Sequence, residues 1–225
     1  MPANMTVANP RIIVKAIGAL RDVLRLRSNA ARRLNFGEMR VGIDFGTTHT
    51  VTAVVDRGNY PVASFDGEDA WPSAVAANAA GELRFGLDAA AVRHEPGWSV
   101  LRSFKRLLND AGPRTEVNLG GCSYPLADLL TGFVAQLKSD LHHRSNAGLA
   151  PGERIQAAIS VPANASSAFL TLDAFAKAGF EVVALLNEPS AAGFEYAHRY
   201  RSTITTKRST SSSTTLGAAR STPRL

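Results

Sequence analysis

The chain of 225 residues has a mass of 23.9 kDa, with 45% hydrophobic and 20% charged residues. This composition is typical of one large or two small globular domains, and it excludes a chain that is disordered throughout. The longest apolar stretches are shorter than the roughly 20 residues of a membrane-spanning helix. The one at residues 12–20 is interrupted by Lys15. No membrane span is therefore expected.

The single cysteine indicates the cellular compartment, and the distribution of charge bears on nucleic-acid binding. Cys122 alone cannot form an internal disulfide or a multi-cysteine metal site, which favours a reducing compartment and a cytoplasmic protein. The net charge of +6 would suggest nucleic-acid binding if it lay on one folded face. Residues 1–40 carry +6 and residues 200–225 carry +5, which leaves −5 for residues 41–199. No specific nucleic-acid partner is therefore expected.

The basic N-terminal extension, residues 1–39, contains a helical pattern. Four apolar residues recur at helical spacing, with arginines on the other faces: Ile13, Ile17, Leu20 and Leu24. The pattern predicts one amphipathic basic helix, which is typical of a targeting or membrane-surface segment. The alternative is a poorly constrained extension, or upstream sequence read from an early start codon, because Met39 stands directly before the first strand.

Residues 40–199 begin with strands and continue as alternating helices and strands, which predicts an α/β domain. The predicted strands are Val41–Phe45, Val51–Val55, Tyr60–Phe65, Glu82–Phe85, Ala157–Val161 and Glu181–Leu186. The predicted helices are Leu87–Arg93, Ser99–Leu108, Leu126–Leu141, Ala168–Ala178 and Pro189–His198, with Gly179 ending the fourth. Residues 200–225 are rich in Ser, Thr and Arg and are expected to form a disordered tail.

The turn between the first two strands has the composition of a phosphate-binding loop. It reads Gly46-Thr47-Thr48 and follows Asp44. A glycine permits close backbone approach, threonine hydroxyls and nearby N–H groups can hold phosphate oxygens, and a carboxylate at the strand end can hold a hydrated Mg²⁺. The alternative is a plain hairpin with threonines paired across its strands.

Four sequence blocks in this order resemble the 70 kDa heat-shock (DnaK-like) chaperone family. They are Gly42–Thr50, Ser103–Leu108, Ile159–Ala163 and Ala178–Tyr196. The resemblance covers residues 40–199 and implies the first lobe of an actin-like, ribonuclease H-like ATPase domain, a mixed sheet with flanking helices, without the second lobe. Actin-like filament proteins and sugar kinases share that fold. The run Asn187-Glu188-Pro189-Ser190-Ala191-Ala192 favours the chaperones.

The resemblance also implies site residues and cofactors. Gly46, Thr47 and Thr48 match the first phosphate loop for ATP, and Asp44 matches the carboxylate that holds Mg²⁺ through water. Lys105 matches the catalytic lysine that faces the γ-phosphate. Two further matches lie later in the chain: Glu188, the acidic catalytic residue near the metal and water, and Pro162, the allosteric proline that couples nucleotide state to the peptide-binding domain.

Each of these assignments has an alternative or a departure beside it. From local sequence alone, Lys105 is a surface helix lysine beside Arg106, and Pro162 terminates a strand. Between Pro162 and Gly179 the chain is about two residues shorter than the family pattern and lacks the arginine that relays nucleotide state. His49 and the pair His142-His143 show no metal-ligand spacing and are expected at the surface.

The tail matches a second family motif in another reading frame. Codons can be chosen for a family peptide so that the same nucleotides, read one position later, encode residues 214–224 as they stand. The peptide is Tyr-Asp-Leu-Gly-Gly-Gly-Thr-Phe-Asp-Ala-Ser. That peptide contains the family's second phosphate loop. The match predicts a frameshift between about Arg199 and Ser209, and hence an out-of-frame tail.

These observations lead to two functional expectations. The first is a truncated ATP-dependent chaperone whose complete form hydrolyses ATP to control binding of unfolded polypeptides and works with co-chaperones; this chain would bind ATP weakly or not at all. The alternative is a non-enzymatic interaction module that pairs with chaperones or co-chaperones through an exposed lobe interface.

Overall fold

The computed structural model describes residues 38–57, 59–112, 114–150, 152–161 and 165–187. Their strands are β1 (Glu38–Phe45), β2 (His49–Val54), β3 (Trp71–Pro72), β4 (Ala74–Asn78), β5 (Leu83–Phe85), β6 (Trp98–Arg102), β7 (Glu116–Leu119), β8 (Cys122–Pro125), β9 (Arg154–Val161) and β10 (Glu181–Asn187). Their α-helices are α1 (Gly86–Ala91), α2 (Leu126–His143) and α3 (Ala165–Lys177). Two 3₁₀ helices span Val92–His94 and Phe104–Asp110.

The main sheet is mixed and has the strand order β10-β9-β1-β2-β3. Strand β1 pairs antiparallel with β2 and parallel with β9, and β10 extends the parallel part. A three-stranded sheet, β5-β4-β6, and the hairpin β7-β8 complete the described strands. Helices α2 and α3 pack against each other, and α3 contacts β9 and β10. The predicted α/β class, a mixed sheet with flanking helices, is confirmed.

The predicted N-terminal hairpin is confirmed, but its third strand is not where the sequence placed it. Val41 pairs with Val54 and Phe45 with Thr50, as the alternation of the two runs requires. The predicted strand Tyr60–Phe65 makes only an isolated bridge, Ala53 to Val62, with the main sheet. Pro61 lacks the N–H that a continuous ladder needs. The strand that pairs with β2 is β3 instead.

Helix α2 provides the centre of the core. Its buried side chains follow helical spacing and include the five that the sequence placed on one face: Leu129, Leu130, Phe133, Val134 and Leu137. The ring of Phe133 lies 5.5 Å from that of Phe45, 4.7 Å from that of Trp71 and 4.8 Å from that of Phe104, measured between centroids. The helix thus connects the main sheet to the 3₁₀ helix that contains Lys105.

The prediction of a helix over Ser99–Leu108 is wrong. The segment is divided into β6 and the 3₁₀ helix Phe104–Asp110, with Ser103 between them at φ +59°. A non-glycine residue in the left-handed region interrupts a right-handed helix. Strand β6 forms because β4 is available to pair with it, Ala76 opposite Val100. Tertiary pairing therefore overrides the local helical pattern.

The remaining predicted elements agree with the structure or lie outside the described residues. Helix α3 begins three residues before the predicted Ala168, and Gly179 follows it with φ +81°, the left-handed conformation of a helix end. The predicted N-terminal helix, the helix Pro189–His198 and the tail 200–225 lie outside the described residues. No helix in the described ranges has the length and apolarity needed to cross a membrane.

Candidate functional site

Two buried side chains meet where parallel strands of the main sheet end. Asp44 is the second-last residue of β1 and Ser160 the second-last of β9, and the register of Ile43 with Ile159 places them side by side. Ser160 Oγ donates a hydrogen bond to Asp44 Oδ1 at 2.7 Å. Both residues are buried. Ligands of open α/β sheets bind outside the carboxyl ends of the strands, so Asp44 lies at the edge where a ligand is expected.

The β1–β2 turn begins directly after this carboxylate and requires its glycine. The Gly46 N–H donates to the carbonyl oxygen of Asp44 at 2.9 Å, and a Cβ at Gly46 would lie 2.2 Å from the carbonyl oxygen of His49. No side chain fits that space without movement of the backbone. Thr48 and His49 are exposed and Thr47 is half-buried, so the tip of the turn is accessible to solvent.

Ser73 fixes the turn from the strand side and was not predicted from the sequence. Its hydroxyl donates to the Gly46 carbonyl at 2.9 Å, and its backbone N–H donates to the Thr48 carbonyl at 2.9 Å. It also shares a hydrogen bond of 3.1 Å with the hydroxyl of Thr50. Nothing in the local pattern around Ser73 signals this role, because its partners precede it by 23 to 27 residues.

Lys105 lies at the junction of β1 and the turn, although it is 60 residues away in the chain. Its ammonium group donates to the carbonyl oxygen of Phe45 and lies 5.2 Å from the centroid of the Phe45 ring. The residue is only 5% exposed. The alternative of a surface lysine is therefore wrong. The left-handed Ser103 turns the chain from β6 into the 3₁₀ helix and so directs Lys105 to this position.

The donor set of this region fits a phosphate group with a hydrated metal. An ammonium, a glycine turn and the hydroxyls of two accessible threonines, Thr47 and Thr48, are groups that bind phosphate oxygens. A single carboxylate, Asp44, suits a Mg²⁺ ion that keeps most of its waters. The described part of the chain contains no group of three or more His, Cys, Asp or Glu side chains placed to hold a metal directly.

No protein-family model matches this sequence. The structure brings five of the predicted residues together at one end of the hairpin: Asp44, Gly46, Thr47, Thr48 and Lys105. Pro162 and Glu188 lie outside the described residues; in the chain they directly follow β9 and β10 respectively.

A cavity of about 230 Å³ lies away from this site. It is found at the beginning of β1, lined by Met39, Val54, Val62 and Asn146 among others, whereas Asp44 and Gly46 lie at the strand's other end. Among the described residues that line it, Asp56 is the one ionisable side chain. The cavity therefore has no set of converging charged groups to compare with the β1–β2 turn.

Proposed function

We propose that residues 40–199 are the first ATPase lobe of an ATP-dependent molecular chaperone of the 70 kDa heat-shock family. The β1–β2 turn binds the phosphates of ATP, and Asp44 holds Mg²⁺ through water. In the complete protein, nucleotide binding and hydrolysis control the binding of unfolded polypeptides, with co-chaperones as further partners. The observation that carries the proposal is the burial of Lys105 against the strand that leads into the turn.

The fold supports this assignment at the level of architecture. An actin-like lobe requires a mixed sheet with flanking helices, and the described residues form such a sheet. Its parallel strands end beside Asp44, and Thr48 and His49 in the following turn are exposed. The four sequence blocks supply the choice of family within that architecture.

The chemistry of the site supports phosphoryl binding and positioning. The Lys105 ammonium places a positive charge at the base of the turn, where a phosphoryl group would develop negative charge during transfer. Burial strengthens the electrostatic attraction between the ammonium and a phosphoryl group, because water that would screen it is excluded. The Ser160 hydroxyl occupies one oxygen of Asp44 and thereby orients the carboxylate. Mg²⁺, when bound, supplies charge neutralisation of the phosphates.

The test compares two lysines that have the same kinds of partner, a backbone carbonyl and a phenylalanine ring, although Lys105 is buried and Lys138 is half-buried. Lys105 donates to the Phe45 carbonyl beside the Phe45 ring; Lys138 donates to the Gly179 carbonyl at 2.7 Å and lies 5.7 Å from the Phe180 ring. Only Lys105 adjoins the turn. Titration of the whole chain with MgATP, followed by amide signals in NMR, should show weak binding that shifts Gly46, Thr47 and Thr48.

We expect Lys105→Met to weaken MgATP binding by at least about tenfold, because a hydrogen bond to a charged group contributes about 1.5–3 kcal/mol. Lys138→Met should bind MgATP as the wild type does. Absence of any shift in the wild type at millimolar MgATP would reject the phosphate site. ATP hydrolysis at the rate of an intact chaperone ATPase domain would contradict the proposal that residues 40–199 correspond to a single lobe.

The reading frame offers an independent test of the family assignment. Sequencing the coding DNA beyond codon 190 and translating the neighbouring frame should reveal the Gly-Gly-Gly-Thr loop, a second lobe and a peptide-binding domain. A neighbouring frame without these elements would remove the out-of-frame explanation of residues 200–225.

A second candidate function is supported by exposed apolar side chains. Phe169 and Leu172 on α3 are 67% and 36% exposed, and Val183 and Leu185 on β10 are 40% and 37% exposed. Exposed apolar groups of this kind favour a protein-binding surface for a chaperone or co-chaperone. Size-exclusion chromatography with candidate partners tests this; Phe169→Asp should abolish a complex formed there, whereas Lys105→Met should not.

A further inference from the structure

The buried hydroxyl of Ser73 belongs to a chain of hydrogen bonds that ends on the turn. A hydroxyl has one proton to donate. Because Ser73 Oγ donates that proton to the Gly46 carbonyl, the Thr50 hydroxyl must be the donor in the 3.1 Å contact between Thr50 and Ser73. The order is therefore Thr50 to Ser73 to Gly46. Both hydroxyl residues are buried, with exposures of 0% for Thr50 and 1% for Ser73.

Ser73 contacts the turn at both ends. Its hydroxyl binds the carbonyl of Gly46, where the turn begins, and its N–H binds the carbonyl of Thr48 two residues later. Binding these two carbonyls from the strand side fixes the Gly46–Thr47 and Thr48–His49 peptide planes. The Thr47 N–H lies in the first plane and the Thr48 N–H lies between the two, so the backbone of the turn is held in one arrangement before any ligand arrives.

We infer that Ser73 is a positioning residue for phosphate binding at the β1–β2 turn. The inference rests on the proposed function, since the turn is the site proposed for the phosphates of ATP. Ser73 is buried beneath the turn and acts through the backbone of Gly46 and Thr48. Its contribution is preorganisation: a turn already held in its binding conformation loses less conformational entropy when a ligand binds.

Thr52 provides a matched control for loss of a buried hydroxyl. It lies on β2 two residues beyond Thr50 and has 0% exposure. Within the described part of the chain its hydroxyl has no hydrogen-bond partner. Thr52→Val therefore removes a buried hydroxyl from the same sheet without breaking a bond to the turn.

The experiment measures two properties of Ser73→Ala and Thr52→Val in the full chain. The first is the affinity for MgATP; the second is the set of amide chemical shifts of Gly46, Thr47 and Thr48 without ligand. We expect Ser73→Ala to weaken MgATP binding by about fivefold and to move the turn signals, because the hydrogen bond from the Ser73 hydroxyl to the Gly46 carbonyl is lost. Thr52→Val should leave both properties unchanged.

The two readouts separate failure of this inference from failure of the proposed function. If the wild type does not bind MgATP, the proposed function fails, and the turn signals of Ser73→Ala still decide whether Ser73 sets the turn. Wild-type affinity and wild-type turn signals in Ser73→Ala would overturn the inference. If Ser73→Ala does not fold, Ser73→Cys is measured instead, because it replaces the hydroxyl with a weakly donating thiol. It should move the Gly46 and Thr48 signals and weaken MgATP binding, and wild-type signals with wild-type affinity would overturn the inference.

Discussion

At the scale of single residues, the candidate site depends on a close backbone approach at Gly46. A Cβ there would lie 2.2 Å from the His49 carbonyl oxygen, well inside any real contact distance. The turn must therefore open if a larger residue is present, and an open turn separates the groups that Ser73 holds together. The conformation of this one residue links the hairpin geometry to the proposed binding of phosphate.

Gly46→Ala should reduce the free energy of unfolding by about 1–3 kcal/mol, as overpacking of a tight site usually does, and should abolish binding of MgATP. Urea denaturation and NMR titration measure the two effects. The control is Gly112→Ala, because a Cβ at Gly112 meets no atom within 4 Å. Equal stability of the two variants would show that the turn accommodates a side chain.

At the scale of elements, helix α2 is held to its neighbours by a buried carboxylate as well as by its apolar face. Asp140 is 1% exposed; its oxygens accept hydrogen bonds from the Trp71 indole at 2.7 Å and the Gln136 amide at 2.8 Å. Arg144 lies 4.0 Å away and also binds Asp66 and Asp88. Burial alone would lower the pKa of Arg144, but these hydrogen bonds and the Asp140 charge together raise it.

Asp140→Asn should lower the free energy of unfolding by about 2–3 kcal/mol, because an amide cannot accept both hydrogen bonds and the charge opposite Arg144 is lost. Chemical denaturation measures this loss. Asp128→Asn, an exposed change in the first turn of the same helix, should cost only a few tenths of a kcal/mol to about 1 kcal/mol. A loss for Asp140→Asn no larger than that of Asp128→Asn would contradict the role given to this network.

At the scale of the whole described fold, one aromatic cluster connects the site to the core. Phe133 of α2 contacts Phe45 at the end of β1, Phe104 next to Lys105, and Trp71 of β3. These three partners come from three different parts of the chain, and each directly precedes or lies near a residue of the site. Packing around Phe133 therefore determines how Lys105 and the turn are placed relative to each other.

Phe133→Ala should cost about 3–5 kcal/mol of stability, as truncation of a buried aromatic residue does, and should weaken MgATP binding in whatever fraction remains folded. Calorimetric unfolding measures the loss. Phe169→Ala is the control, because Phe169 is 67% exposed and its removal leaves no cavity. A small change in stability for Phe133→Ala would mean that the core repacks without this ring.

The sequence by itself determined the elements whose pattern is local. The alternation of Val41–Phe45 and the helical stripe of α2 each specify a buried face, so the hairpin and the helix are found where they were predicted. The composition of the turn, with Gly46 and two threonines, also indicated its place. The resemblance to a known family, and not periodicity, selected Lys105.

Only the tertiary structure decided the features that need a partner far along the chain. Residues 99–108 form a strand and a 3₁₀ helix because β4 pairs with β6. This course of the backbone places Lys105 against Phe45, which lies 60 residues earlier in the chain, and so buries it. Ser73 and Ser160 reach the site across 27 and 116 residues. Local spacing specifies which face of an element is buried. Long-range pairing of strands and helices determines which side chains that face contacts. It therefore determines which hydroxyl orients a carboxylate or fixes a turn.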